Sequence, residues 1–374
     1  MTEVPDSEIR EYAKTIVNRS AQVEKGDNVY LSAYSTETLP LFDEIRKLVI
    51  KKGAFPHEHL IYDSQLGRAG MDYDWLKNAS EEQLKTISKA KRKELEEIDV
   101  YINIGGRRNE NDLNSIDSSK ISLRKKETKV LADMRRDMRW VLARYPTDSM
   151  AQKAAMSTQD FRKFVLDAAN IDWDRLEEKN EKIKEKVDNT KELRIISKNT
   201  DIKFSLEDRK GVPTKGRRNL PDGEVFYAPV KDSVNGEIEF TYPGRKQGNE
   251  VRNVYLKIED GEIVDFSADK NEEFLREQIN TDEGSKYIGE FGIGTNWEID
   301  RFTNEMGLDE KINGTIHLAL GSGFKECMPE GEEPNNSAIH WDIVKDLRKP
   351  EGDGGKIIAD GEIIQEDGEW KIDI

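Results

Sequence analysis

The chain has 374 residues, 36 % of them charged and 35 % hydrophobic, with 75 Asp and Glu against 59 Lys and Arg for a net charge of -16. That length suits about two domains, and an excess of negative charge repels phosphate backbones and anionic membrane surfaces, which excludes a general nucleic-acid binder. A single cysteine, Cys327, rules out an internal disulfide and suits a reducing compartment. No run nears the ~20 apolar residues that cross a bilayer, and the polar opening MTEVPDSEIREYAK has no signal-peptide core. The expectation is a soluble, cytoplasmic protein with neither membrane nor nucleic acid as partner.

In chain order, DNVYLSAYS (27–35) reads as a strand, LPLFDEIRKLVIKKG (39–53) as a helix closed by Gly53, and HEHLIYD (57–63) as a second strand. Ser80 to Asp99 has helical spacing, with Ser80 and Gln83 placed for a capping box. VYINIGG (100–106) and RWVLARYP (139–146) are two further strands. Strands separated by helices imply βαβ units and a mainly parallel sheet. Residues 159–192 read as polar helix, its dense charges suggesting a solvated link between domains.

From about residue 195 the pattern turns to short paired strands with hairpin-type dipeptides, Asn235-Gly236, Asp260-Gly261, Asp360-Gly361 and Asp367-Gly368, and one helix at 271–279. The expected fold is therefore an α/β N-terminal domain, residues 1–194 including the helical link, followed by an α+β, mainly antiparallel domain, residues 195–374.

The second half also carries the candidate chemistry. In AIHWDIV, strand alternation puts His340 and Asp342 on one face and Ile339, Trp341 and Ile343 on the other. In TIHLALG, His317 and Ala319 face one way, and Ile316, Leu318 and Leu320 the other. One histidine in a strand is ordinarily structural, but two such strands with an aspartate on the same face form a metal-ligand pattern. Glu224 opens the apolar strand of LPDGEVFYAP, where a buried charge needs a partner or a metal. Glu290 lies between glycines in GEFGIG, which let a neighbouring group approach closely. Glu310 precedes the His317 strand and, by itself, reads as a surface residue. His57-Glu58-His59 lies in the other domain and reads as a surface or dimer contact, and Cys327 has no thiolate-activating context.

LPDGEVFYAP, GEFGIGTN, DEKINGTIHLALG and SAIHWDI occur in the order found in the M29 aminopeptidases, the aminopeptidase T or thermophilic metalloprotease family. VEKGDNVYLSAYSTETLPLFDEIRKLVIKKGA, WVLARYPTDSMAQKAAMS and LRIISKNTDIKFSLEDRKG resemble further blocks of that family, so the likeness runs along nearly the whole chain. It implies a dimeric metallo-aminopeptidase acting on short peptides, with two divalent ions (Zn, Co or Mn) held by Glu224, Glu290, Glu310, His317, His340 and Asp342. Glu290 is the implied bridging ligand or proton acceptor. The position seven residues after His317, which carries a tyrosine in the family, is Phe324 here; Lys325 or a tyrosine elsewhere would have to replace its hydroxyl.

Two rival readings remain open at this level. The 2,5-dihydroxypyridine dioxygenases resemble the M29 peptidases but use one Fe(II) held by two histidines and an aspartate, which His317, His340 and Asp342 would supply. The other rival is a degenerate M29 fold that binds without catalysis.

Overall fold

Strand β1 (Asn28–Ala33) and strand β3 (Val100–Gly105) are almost wholly apolar and occupy the middle of a parallel sheet, as strands buried on both faces must. Strand β2 (Phe55–Leu60) lies outside β1, strand β4 (Arg139–Arg144) outside β3, and the short segment Asn219–Leu220 extends the far edge. In this computed structural model the described residues are 7–61, 71–109, 111–246 and 248–374, so the last two positions of the expected strand 57–63 fall outside them. The helix Leu39–Lys51 joins β1 to β2, as its spacing predicts. The stretch from Ser80 to Asp99 forms two helices, Glu81–Lys85 and Lys89–Glu96, each started by its own serine. Ser80 and Gln83 make the expected capping box; Ser88 caps the second helix and so ends the first one early.

The chain divides into two units, one running to Ile171 and including Gly216–Pro221, the other made of Asp172–Lys215 and Asp222–Ile374. The boundary expected at 194/195 lies inside the second unit. Residues 159–192 are not a solvated link but two packed helices, Thr158–Ala169 and Trp173–Val187, one in each unit. The charges of RLEEKNEKIKEK lie on one side of the second helix, while Trp173, Leu176, Ile183 and Val187 are buried on the other.

The second unit contains an eight-stranded antiparallel sheet and a five-stranded one. The smaller sheet runs in the order strand β8 (His340–Asp346), strand β7 (Thr315–Gly321), strand β6 (Ile288–Gly294), strand β5 (Glu224–Tyr227) and the short Val212–Pro213. Both sheets turn an apolar face to one core, where Ile195, Ile202, Ile238 and Leu256 meet Phe291, Ile316, Leu318 and Ile343. The Asp-Gly pairs are tight hairpin turns with both residues at positive φ, for example Asp260 at 48° and Gly261 at 84°. Asn235-Gly236 differs: it begins the strand Asn235–Glu239, and a Cβ on Gly236 (φ 121°) would lie 2.1 Å from the Asp201 carbonyl oxygen. That glycine serves close strand contact, not a turn.

Candidate metal centre

With one face of the β5–β8 sheet committed to the core, strand alternation sends every second side chain to the other face. Glu224, Glu290, His317, His340 and Asp342 all project there, and the core side holds Val225, Phe291, Ile316, Leu318, Trp341 and Ile343. Registry brings them level: Gly292 pairs with His317, Gly294 with Glu224, and Ala319 with Asp342. Each neighbour is small where a ligand must lean across. A Cβ at Gly292 would come 2.1 Å from the His317 ring, so only glycine admits the imidazole.

Glu290 joins the two histidines. Its Oε1 lies 3.3 Å from Nε2 of His317, and its Oε2 lies 3.2 Å from Nε2 of His340. Nε2 of His340 is also 3.3 Å from Asp342 Oδ1, while its Nδ1 donates to the Ser322 carbonyl at 2.8 Å. That hydrogen bond turns Nε2 towards the carboxylates, as a supporting contact does for a ligating imidazole. Glu224 Oε2 stands 3.6 Å from His317 Nε2. Thus three groups, Glu224–Glu290–His317, Glu290–His340–Asp342 and Glu310–His317–Asp342, each offer ligand atoms within 4.8 Å of one another.

Glu290 is 4 % exposed and His317 1 %, so this is a buried centre. Burial disfavours protonated histidine, but here the carboxylates win. Burial lowers the pKa of His340, yet Asp342 and then Glu290 raise it to about 12; for His317, Glu290 and Glu224 overcome burial and raise it to about 9. Burial likewise opposes ionisation of Asp342, and His340 more than offsets it, holding the carboxyl below its usual range. The pocket is short of positive charge. Glu224 Oε2 and His317 Nδ1 are buried with no hydrogen-bond partner among the described residues. An oxygen- and imidazole-lined site with excess negative charge, buried unpartnered polar atoms and no thiolate fits divalent cations.

The six residues singled out in the sequence come together, and Glu310, the one of them expected at the surface when read alone, is half-buried. Lys311 was missed. Its side chain is 2 % exposed, its Nζ meets Glu224 Oε1 and lies 2.8 Å from Glu310 Oε1, and the buried Asp222 stands 4.0 Å away. The one available signal was an aspartate two residues before Glu224; Lys311 itself lies in the turn before the strand Thr315–Gly321. Phe324 sits against the centre, with its ring centroid 5.1 Å from that of His340 and 5.1 Å from that of Phe226. Lys325 does not replace the missing hydroxyl: it is exposed and paired with Glu333. His57 and His59 make contacts within their own unit, His57 Nε2 to Asn28 at 3.2 Å and His59 to Glu94 at 2.7 Å while stacked on Tyr30. Cys327 is buried, and burial pushes its thiol pKa up, as an inert cysteine requires.

A parallel-sheet unit and, later in the chain, an antiparallel unit with a carboxylate–imidazole cluster describe a two-unit protein with a candidate metal centre. The model of the thermophilic metalloproteases, M29, matches residues 5–370, and the chain belongs to that family. Aminopeptidase 2 of Geobacillus stearothermophilus is 24 % identical over 99 % of both chains. Aminopeptidase AmpS of Bacillus subtilis is 36 % identical over 41 % of this chain and 40 % of its own, so that match spans less than half of the relative. Among solved structures, AmpT from Thermus thermophilus superposes with a TM-score of 0.81 at 20 % identity, covering 98 % of this chain and 99 % of that one. The 2,5-dihydroxypyridine dioxygenase from Pseudomonas putida covers 99 % of each chain at a TM-score of 0.60 and 15 % identity. At such identities both structures speak for the fold alone. No helix among the described residues is long and apolar enough to cross a membrane.

Proposed function

We propose that the chain is a metallo-aminopeptidase that removes N-terminal residues from short peptides, with two divalent ions held by Glu224, Glu290, Glu310, His317, His340 and Asp342. The observation that carries this reading is the Glu290 carboxylate, one oxygen towards each histidine, between two sets of further carboxylates. Divalent ions bound there would supply a water of lowered pKa and a Lewis acid for the peptide carbonyl. Glu290 would accept a proton from that water, and the surrounding carboxylates would favour the α-ammonium of a peptide over an anionic end. Phe324 offers an apolar wall beside His340 in place of a hydroxyl donor. The family resemblance adds a homodimer as the working unit, and the single buried cysteine agrees with a cytoplasmic setting.

The mononuclear iron alternative is weaker, because each of the three ligand groups contains a glutamate and the centre does not reduce to His317, His340 and Asp342. Metal content per chain at saturating free divalent metal, measured with a panel of aminoacyl substrates, separates the readings. Two ions with aminopeptidase turnover supports the proposal; one iron with ring cleavage, or no metal at all, sinks it. His340→Ala should lose metal and turnover together.

A further inference from the structure

Lys311 divides the centre into two unequal halves. Its backbone is fixed on both sides, the amide donating to the Leu308 carbonyl at 2.9 Å and the carbonyl accepting from Asn296 at 3.1 Å. From that anchor the side chain runs into the protein and ends among Glu224, Glu310 and Asp222. A buried ammonium is costly without counter-charges, and among the described residues those of Lys311 are Glu224, Glu310 and Asp222. Glu290 pairs instead with the imidazoles of His317 and His340, and Asp342 with that of His340.

We infer that Lys311 is a built-in cation that makes the metal sites unequal: Glu290, His340 and Asp342 hold one divalent ion tightly, whereas an ion bound through Glu224, His317 and the shared Glu290 lies beside the Lys311 ammonium and is held weakly. The inference rests on the metallo-aminopeptidase reading and concerns how that centre fills. A second ion would bind Glu224 through Oε2, the oxygen that faces His317, while Lys311 holds Oε1 of the same carboxylate, so the ion lies beside a fixed positive charge in a place poorly screened by water. Lys311 is a positioning residue in this account. It sets how many ions the protein keeps at low free metal, and it holds Glu224 and Glu310 in place when only one is bound. The resting protein is a one-ion form that becomes a two-ion form as free metal rises.

The test is a titration of the chelator-stripped, full-length protein with Zn²⁺ alone, by calorimetry with a competing chelator, followed by metal analysis after gel filtration. One ion per chain should survive filtration, and the second should need free Zn²⁺ at least about tenfold higher, the scale on which an adjacent fixed charge weakens binding. In Lys311→Met the gap should close and two ions should survive; Lys311→Gln, which keeps a hydrogen-bond donor near Glu224 and Glu310, serves the same purpose if the methionine variant does not fold. Two equal sites in the unaltered protein overturn the inference, as does a gap unchanged in a folded variant. No binding of Zn²⁺ at all would instead remove the metal centre on which it rests.

Discussion

Gly292 and His317 face each other across β6 and β7, and the histidine ring fills the space where a side chain on residue 292 would begin. A sheet neighbour with no Cβ is what lets the imidazole lie across the strand towards Glu290 and Glu224. Gly292→Ala should therefore push His317 off its position and weaken metal binding by about 10- to 100-fold, as displaced supporting contacts do. The core side of the sheet stays as it was. Metal affinity alongside circular dichroism checks this: an alanine variant that is folded and binds metal normally would show that the close approach has no role.

Proton release should accompany metal binding. His317 and His340 have pKa values raised to about 9 and about 12, against about 6.5 for an unperturbed histidine. A raised folded-state pKa means that the two protons stabilise the metal-free fold fully below about pH 6.5, and that this stability is lost as pH rises through the folded values. A cation has to displace those protons, so metal affinity should fall as pH is lowered from 9 to 6, by about tenfold per unit for each proton displaced. Calorimetry in buffers of different ionisation enthalpy reads the protons directly. Identical heats in all buffers would contradict the assigned ligands.

Chelation should reverse cleanly. Stripping with a chelator should abolish turnover and lower the melting temperature, because a ligand that binds only the folded state stabilises it by mass action. Adding back Zn, Co or Mn should restore both, and turnover that persists in metal-free protein would refute the proposed chemistry.

Phe324→Tyr tests the vacant hydroxyl. The phenylalanine ring already packs edge-on against His340, so the added oxygen would lie beside the centre without repacking a core. If an oxyanion donor is what the position lacks, kcat should rise by about tenfold or more while metal content stays constant. An unchanged kcat retires that role for the position.

Lys179 provides a pH effect away from the centre. Half-buried, it donates to Asn313 at 2.7 Å and to the Thr295 carbonyl at 3.2 Å; burial, then the neighbouring Arg175, lowers its pKa to about 8. A lysine whose folded pKa is depressed binds fewer protons folded than unfolded between pH 8 and about 10.5, so the native state should gain stability over that interval. Denaturant melts of Lys179→Met should lack that gain, and an identical pH profile in the variant would exclude Lys179 as its source.

Local patterns determined a good deal of this protein. Alternation in TIHLALG and AIHWDIV was enough to separate ligand-type residues from core residues, because a strand's two-residue period fixes the face of each side chain wherever one face is apolar. The parallel strands β1, β3 and β4 and the Asp-Gly hairpins were legible for the same local reasons. What only the tertiary structure decided is non-local. The charged helix Trp173–Val187 belongs to the second unit because its few apolar residues find a core there, which its charge density hides. Asn235-Gly236 begins a strand because Asp201 needs the space above the glycine. Lys311 looks like any surface lysine until strands far apart in the chain set Glu224 beside it, since the charge a buried lysine requires is supplied by residues that sequence order keeps apart.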